Sequence, residues 1–210
     1  MPSKDFERFY ESCFDDSFGA VHGGVDEQAI ANLKDDERKE AERLLLQALG
    51  TSRDTYSRPV IGLGLLGSQE AAEPLEQRLE KATSLDRIHT ALALFRIERF
   101  PGAEKIIIDG LSAMDMNKPD VSTRWLAVQI LPYLGRTSRI VNALTEAMFD
   151  EDIGNSAVVS LRTLFIEDEA VRDLLGQILL NLHDAHKPDW VPRKKLVQQA
   201  MELINTRLSS

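Results

Sequence analysis

Apolar positions recur along almost the whole chain with helical rather than alternating spacing, which predicts an all-α protein. Residues 35–49 (DDERKEAERLLLQAL) open with acids suited to a helix N-terminus and align Ala41, Leu44, Leu45, Ala48 and Leu49 on one stripe. Gly50 is expected to end that helix. Similar stripes return at 86–97 (DRIHTALALFRI), 122–135 (STRWLAVQILPYLG) and 155–165 (NSAVVSLRTLF). Shorter amphipathic stretches stand between and after them at 70–79, 102–111, 138–148 and 168–180, so a helix A alternates with a helix B.

These pairs superpose in a fixed register. Seven residues after Tyr56, Arg87, Arg124 and Gly154 stand Leu63, Leu94, Leu131 and Leu161; ten residues after them stand Leu66, Ile97, Leu134 and Leu164. Leu75, Ile107, Leu144 and Leu175 mark the inward face of the B helices. The repeats are 31, 37 and 30 residues apart, the extra length falling in SAMDMNKPDV (112–121). Four repeats exceed the roughly three that stacking needs for stability. The expected architecture is therefore an all-α, right-handed α-solenoid of antiparallel helical hairpins forming a single domain. It has an N-terminal helical cap and first hairpin in 1–50, four repeats in 52–182 and a C-terminal capping helix in 183–210. Caps are needed because a terminal repeat would otherwise expose its apolar face. DFERFYESCF (5–14) carries an aromatic stripe for one end; 192–208 enters on Pro192 and aligns Val197, Ala200, Met201, Ile204 and Leu208 for the other. No linker is long or polar enough to divide the chain.

Gly62, Gly64 and Gly67 spell G-x-G-x-x-G, the spacing of a dinucleotide-binding loop. That loop needs a strand before it, a helix opening within it and an acid about 20 residues later, and GTSRDTYSRP before it is no strand. Pro59 suits a first helical turn, which places Gly62 and Gly64 inside helix A and Gly67 just past its end, where a left-handed residue is wanted. An interior glycine costs about 1 kcal/mol against alanine; close approach of a neighbouring helix is the physical reason to keep one.

An Arg opening helix A, Leu-x-x-Leu-Gly closing it and Ala-Val-x-x-Leu within helix B resemble the HEAT-like repeats of the phycobilisome-lyase type. GLGLLGSQEAAEPLEQRL (62–79) and STRWLAVQILPYLGRTSRIVNAL (122–144) carry the resemblance most fully, and it extends over 52–182. Tyr56 and Gly154 stand where Arg87 and Arg124 stand, so no continuous ladder of buried arginines is expected. HEAT repeats identify an architecture rather than an activity. The resemblance to lyases implies an enzyme or enzyme accessory acting on a small-molecule or chromophore-bearing substrate, although no short catalytic motif carries over. The chain is also similar to the HEAT-like immunity proteins that accompany bacterial polymorphic toxins, which implies a non-catalytic inhibitor. Deoxyhypusine hydroxylases are similar in repeat form, but they hold iron with His-Glu dipeptides, and none occurs here.

Charge sharpens the choice of partner. Thirty-four acids against 25 bases give a net charge of −9, which repels phosphate backbones and favours a basic protein. HEAT-like DNA glycosylases wrap DNA on a basic face, whereas the B helices here carry mostly acids, so nucleic acid is not expected as a partner. The single cysteine, Cys13, forms no internal disulfide and sits in an aromatic face (ESCF) as a buried thiol. With no run near the ~20 apolar residues of a membrane span, a cytoplasmic protein without membrane contact is expected.

Candidate chemistry is sparse. His183 and His186, flanking Asp184, have a spacing that could share a metal, but Pro188 marks a solvated helix end, and no metal or cofactor is assigned. His22 and His89 have no evident partner, Trp125 falls on a helix A stripe as core, and no nucleophile–base pair comes together in the repeat register. Acid clusters at Asp15-Asp16, Asp35-Asp36-Glu37, Asp150-Glu151-Asp152 and Glu167-Asp168-Glu169 are read as helix N-terminal punctuation. Opposite the B-helix leucine stripe lie Glu73, Gln77, Glu80, Lys105, Asp109, Asn142, Glu146, Asp173 and Gln177, an acid-leaning face expected to contact a partner protein.

Overall fold

Capping residues start the helices of the first unit and fix their order. In the computed structural model, which describes residues 2–15, 24–51, 57–98, 100–115, 118–183 and 190–208, the chain divides into two compact units, Met1–Ile106 and Ile107–Ser210. Helix α1 (Lys4–Phe14) begins at Ser3, whose Oγ accepts from the Phe6 amide at 3.1 Å. Ser3 also donates its N–H and O–H to the Glu37 carboxylate at 2.7 and 2.9 Å, which ties this end to α3 (Asp35–Thr51). Between them, α2 (Glu27–Ala31) is capped by Asp26, which accepts from the Ala29 amide at 2.9 Å and pairs with Arg8 at 2.6 Å.

The next three helices are α4 (Arg58–Leu66), α5 (Ala72–Lys81, entered through a 3₁₀ turn at 69–71) and α6 (Ser84–Glu98). Helix α4 packs on α3 and on α6, and α5 packs on α6. The glycines of α4 explain how closely these helices approach. A Cβ on Gly64 would lie 2.8 Å from the Ala93 Cα, and one on Gly62 would lie 3.0 Å from the Leu45 side chain. Gly67 ends the helix at φ +66° with the Ser68 amide bonded back to the Leu63 carbonyl at 3.2 Å. The fingerprint spacing is thus a packing device, as expected.

Helix α7 (Ala103–Gly110) leads into the second unit. There an antiparallel pair, β1 (Met114–Asp115) with β2 (Lys118–Pro119), precedes α8 (Val121–Ile130), α9 (Ser138–Ala147), α10 (Gly154–Leu164), α11 (Glu169–His183) and α12 (Trp190–Leu208). Asp120, Thr137 and Asp168 cap α8, α9 and α11 by accepting amides at 3.1 to 3.2 Å. Helix α10 packs on α8, α9 and α11, and α11 packs on α12. The protein is helical, and the register leucines form its cores. Leu63, Leu94, Leu131, Leu161, Leu75, Ile107, Leu144 and Leu175 are all 0% exposed, each contributing about 1.5–3 kcal/mol by burial. Phe9 and Cys13 on α1, and Val197, Ala200 and Ile204 on α12, are buried as their stripes predict.

Several expectations need correction. The 112–121 connection holds a short strand pair, since its backbone groups bond across the turn rather than along a helix. Helix α3 continues through Gly50 to Thr51. The helix A predicted for 122–135 stops at Ile130 and finishes as a 3₁₀ turn led by Pro132, whose shifted phase leaves Leu134 only half-buried. Leu164 is likewise half-buried, because Phe165 closes that core at 1% exposure. Trp125 is not core: it is 47% exposed because its neighbour Arg124, one helical step round, takes the inward position. Of the register arginines, Arg87 is exposed, whereas Arg58, two places after Tyr56, is buried and donates to the Asp15 carbonyl at 2.9 Å.

Candidate functional site

The nine positions assigned to a contact face are all solvent-exposed. Four of them, Glu73, Gln77, Glu80 and Lys105, belong to the first unit. Glu73, Gln77 and Glu80 follow one another at helical spacing along α5, and the Gln77 amide donates to the Glu73 carboxylate at 3.3 Å. The other five belong to the second unit: Asp109 on α7, Asn142 and Glu146 one turn apart on α9, and Asp173 and Gln177 one turn apart on α11. Asp173 lies 3.6 Å from the Arg172 guanidinium. Of the nine, Glu146 lines a cavity.

That cavity, of about 400 Å³, is the feature of the second unit with the most chemistry. Its walls come from the end of α7, from α8 and α9, and from the turn after α9. Ile108, Leu111, Ala147, Phe149 and Ile153 supply apolar surface. Arg124 reaches the site from α8 with a largely buried side chain. Its Nε donates to the Leu111 carbonyl at 2.8 Å, one amino group bonds Asp150, and the other meets Asp152 at 3.3 Å. Asp150 also accepts from the Asp152 and Ile153 amides at 3.0 and 3.2 Å. Burial pushes the Asp150 carboxyl up, but the Arg124 hydrogen bond, the two amides and the Arg124 charge together hold it below its usual range. At neutral pH it is therefore an anion whose charge is matched by Arg124. The acid cluster at 150–152 does punctuate a helix start, as the sequence suggests, and it also anchors an arginine from the preceding hairpin.

Sequence reasoning singled out Glu146 and missed the rest of this site. Arg124 was visible as a register arginine, but its aspartate partners lie 26 and 28 residues on, and no local pattern announces such a pairing. Phe149 and Ile153 belong to a turn with no helical periodicity to read.

Elsewhere, His89 on α6 is half-buried. Burial pushes its imidazole down to about 4; the Asp86 carboxylate opposes this and the Arg96 guanidinium adds to it. The ring is therefore neutral at pH 7. Cys13 is a buried thiol outside any disulfide, with the Ser12 hydroxyl 3.9 Å from its sulfur. Among the described residues, no group of three or more His, Cys, Asp or Glu is placed to hold a metal ion. His22 and His186, and the side chain of His183, lie outside the described residues. Among the described residues, no helix is long and apolar enough to cross a membrane. No protein-family model, curated protein or solved structure matches the chain.

Proposed function

We propose that this chain is a HEAT-like α-solenoid protein that binds a basic partner protein through its acid-leaning B-helix faces, and that it acts as an inhibitor of the immunity type. The observation that carries this reading is the division of each B helix into two sides. Leu75, Ile107, Leu144 and Leu175 are fully buried, while all nine positions opposite them are exposed. Packing of α4 on α6 in one unit, and of α8 on α10 in the other, is the contact between successive A helices that stacked hairpins require. Stacked repeats present a rigid surface with little loop ordering to offset on binding. A net charge of −9 steers a basic partner towards it.

The test is affinity capture of the tagged chain from its native lysate at low and moderate salt, with mass spectrometry of what is retained. One stoichiometric basic protein is the expected result. Its capture should weaken about tenfold or more in the Glu73→Lys, Glu80→Lys double variant, since like charges across an interface oppose association. Absence of any enriched protein, or capture indifferent to the double variant, would overturn the reading.

A further inference from the structure

Glu146 differs from Asp150, the other acid that lines its cavity. Asp150 is matched by Arg124, and Asp152 shares that guanidinium. Glu146 lines the space, is solvent-exposed and has no hydrogen bond or ion pair to its carboxylate among the described residues. Counting the charged groups that line the space, two carboxylates face one guanidinium, so the cavity keeps a net negative charge although Arg124 is in its wall. The same space is lined by the aliphatic side chains of Ile108 and Leu111, by the Phe149 ring and by the polar Ser112. The Phe149 ring is 43% exposed, leaving an aromatic face open to a visitor.

A cavity with one unpaired carboxylate, aliphatic side chains in its wall and one exposed ring suits a side chain with a long aliphatic stem and a cationic, planar head. Acidic or short polar groups would leave the walls empty and bring a negative charge to Glu146. Lysine has the stem, but its compact ammonium neither forks onto a carboxylate nor stacks on a ring as a guanidinium does. A volume of about 400 Å³ is at the lower end of the range for small-ligand pockets and ample for one side chain.

We propose that this cavity is a socket for an arginine side chain of the partner protein, its stem against Ile108 and Leu111, its guanidinium paired with Glu146 and stacked on Phe149. The proposal rests on the protein-binding reading above and names the residue type that would anchor the partner to the second unit.

The test is NMR titration of the isotopically labelled full chain with the capped tripeptide acetyl-Gly-Arg-Gly-amide and with its citrulline counterpart, which keeps the shape and loses the charge. The expected result is a set of shifts at Ser112, Glu146, Phe149 and Ile153 that saturates on the order of 1 mM or weaker, as one charge-assisted pair on one side chain should give. Citrulline should bind about tenfold more weakly, and Glu146→Gln should lose a similar factor, while Glu11→Gln on α1 should change nothing. Glu146 is exposed, so its variant keeps the fold, and an unchanged spectrum away from the cavity verifies this. No shift at these residues, equal response to citrulline, or undiminished binding by Glu146→Gln would overturn the socket. The two readings fail separately. A partner captured equally well by Glu146→Gln but lost on Glu73→Lys, Glu80→Lys removes the socket alone; arginine-peptide binding at the cavity with no captured protein removes the partner-binding reading alone.

Discussion

The two units bury the same kind of leucine stripe and differ in what their A helices place at the contact. In the first, glycine lets backbone meet backbone, with the α4 chain at Gly64 almost touching Ala93 of α6. In the second, Ser160 stands six residues after Gly154 as Gly62 stands six after Tyr56, and its hydroxyl donates to the Val128 carbonyl at 2.9 Å, which adds a hydrogen bond to the packing of α10 on α8. The surfaces differ in parallel. Among the described residues, the first unit exposes one large apolar side chain, Tyr10, against Trp125, Tyr133, Phe149, Ile166 and Leu180, among others, in the second. Each unit carries a cavity, about 500 Å³ beside Arg38 and Glu70 in the first and about 400 Å³ beside Arg124 in the second, and what sets the second apart is its exposed aromatic rings, a feature that recognition draws on. Among the described residues, the second unit thus exposes more large apolar side chains than the first.

Glycine-to-alanine exchange gives the largest contrast. At Gly64 the new Cβ meets Ala93 backbone at 2.8 Å, so Gly64→Ala should destabilise by about 1–3 kcal/mol despite the gain in helix propensity. At Gly176 on α11 a Cβ meets nothing within 4 Å, and Gly176→Ala should stabilise by roughly 0.5–1 kcal/mol. Urea denaturation of both variants checks the opposed signs; two losses of equal size would mean that closeness does not distinguish the units.

Acid should affect the first unit before the second. His89 has a folded pKa of about 4, below its unfolded value near 6.5. Between those values the unfolded chain binds more protons, so stability is whole above pH 6.5 and is lost as pH falls towards 4. The loss should be about 1 kcal/mol from pH 7 to pH 5.5. His89→Gln should flatten that window in a series of denaturation curves. Asp150, whose pKa is depressed, adds its own loss only as the pH falls below the usual carboxylate range. A stability profile with no slope between pH 6.5 and 4 would contradict the buried, neutral imidazole.

The smallest expected effect is at Trp125. Because its ring is 47% exposed, Trp125→Ala should change stability by about 0.5 kcal/mol or less, and the tryptophan fluorescence it removes should be readily quenched by iodide. A loss of several kcal/mol would place the ring in a core after all and erase the difference between the two surfaces.

Sequence alone determined the helices, their order and most of their inward faces, because burial of a leucine every three or four residues is a local pattern that recurs along the chain. It also resolved the glycine fingerprint into packing positions, since Pro59 and the missing strand are local facts. The nine exposed positions on the B helices were legible for the same reason, as the reverse of the leucine stripe. What only the tertiary structure decided depends on neighbours far apart in sequence. Trp125 sits on the same predicted stripe as its neighbours, yet it turns outward because Arg124 finds Asp150 and Asp152 across the next hairpin and Leu111 in the turn before it. The cavity beside that arginine is bounded by a helix end and by turns whose residues carry no periodicity, and a volume between side chains has no signature in the order of residues along the chain.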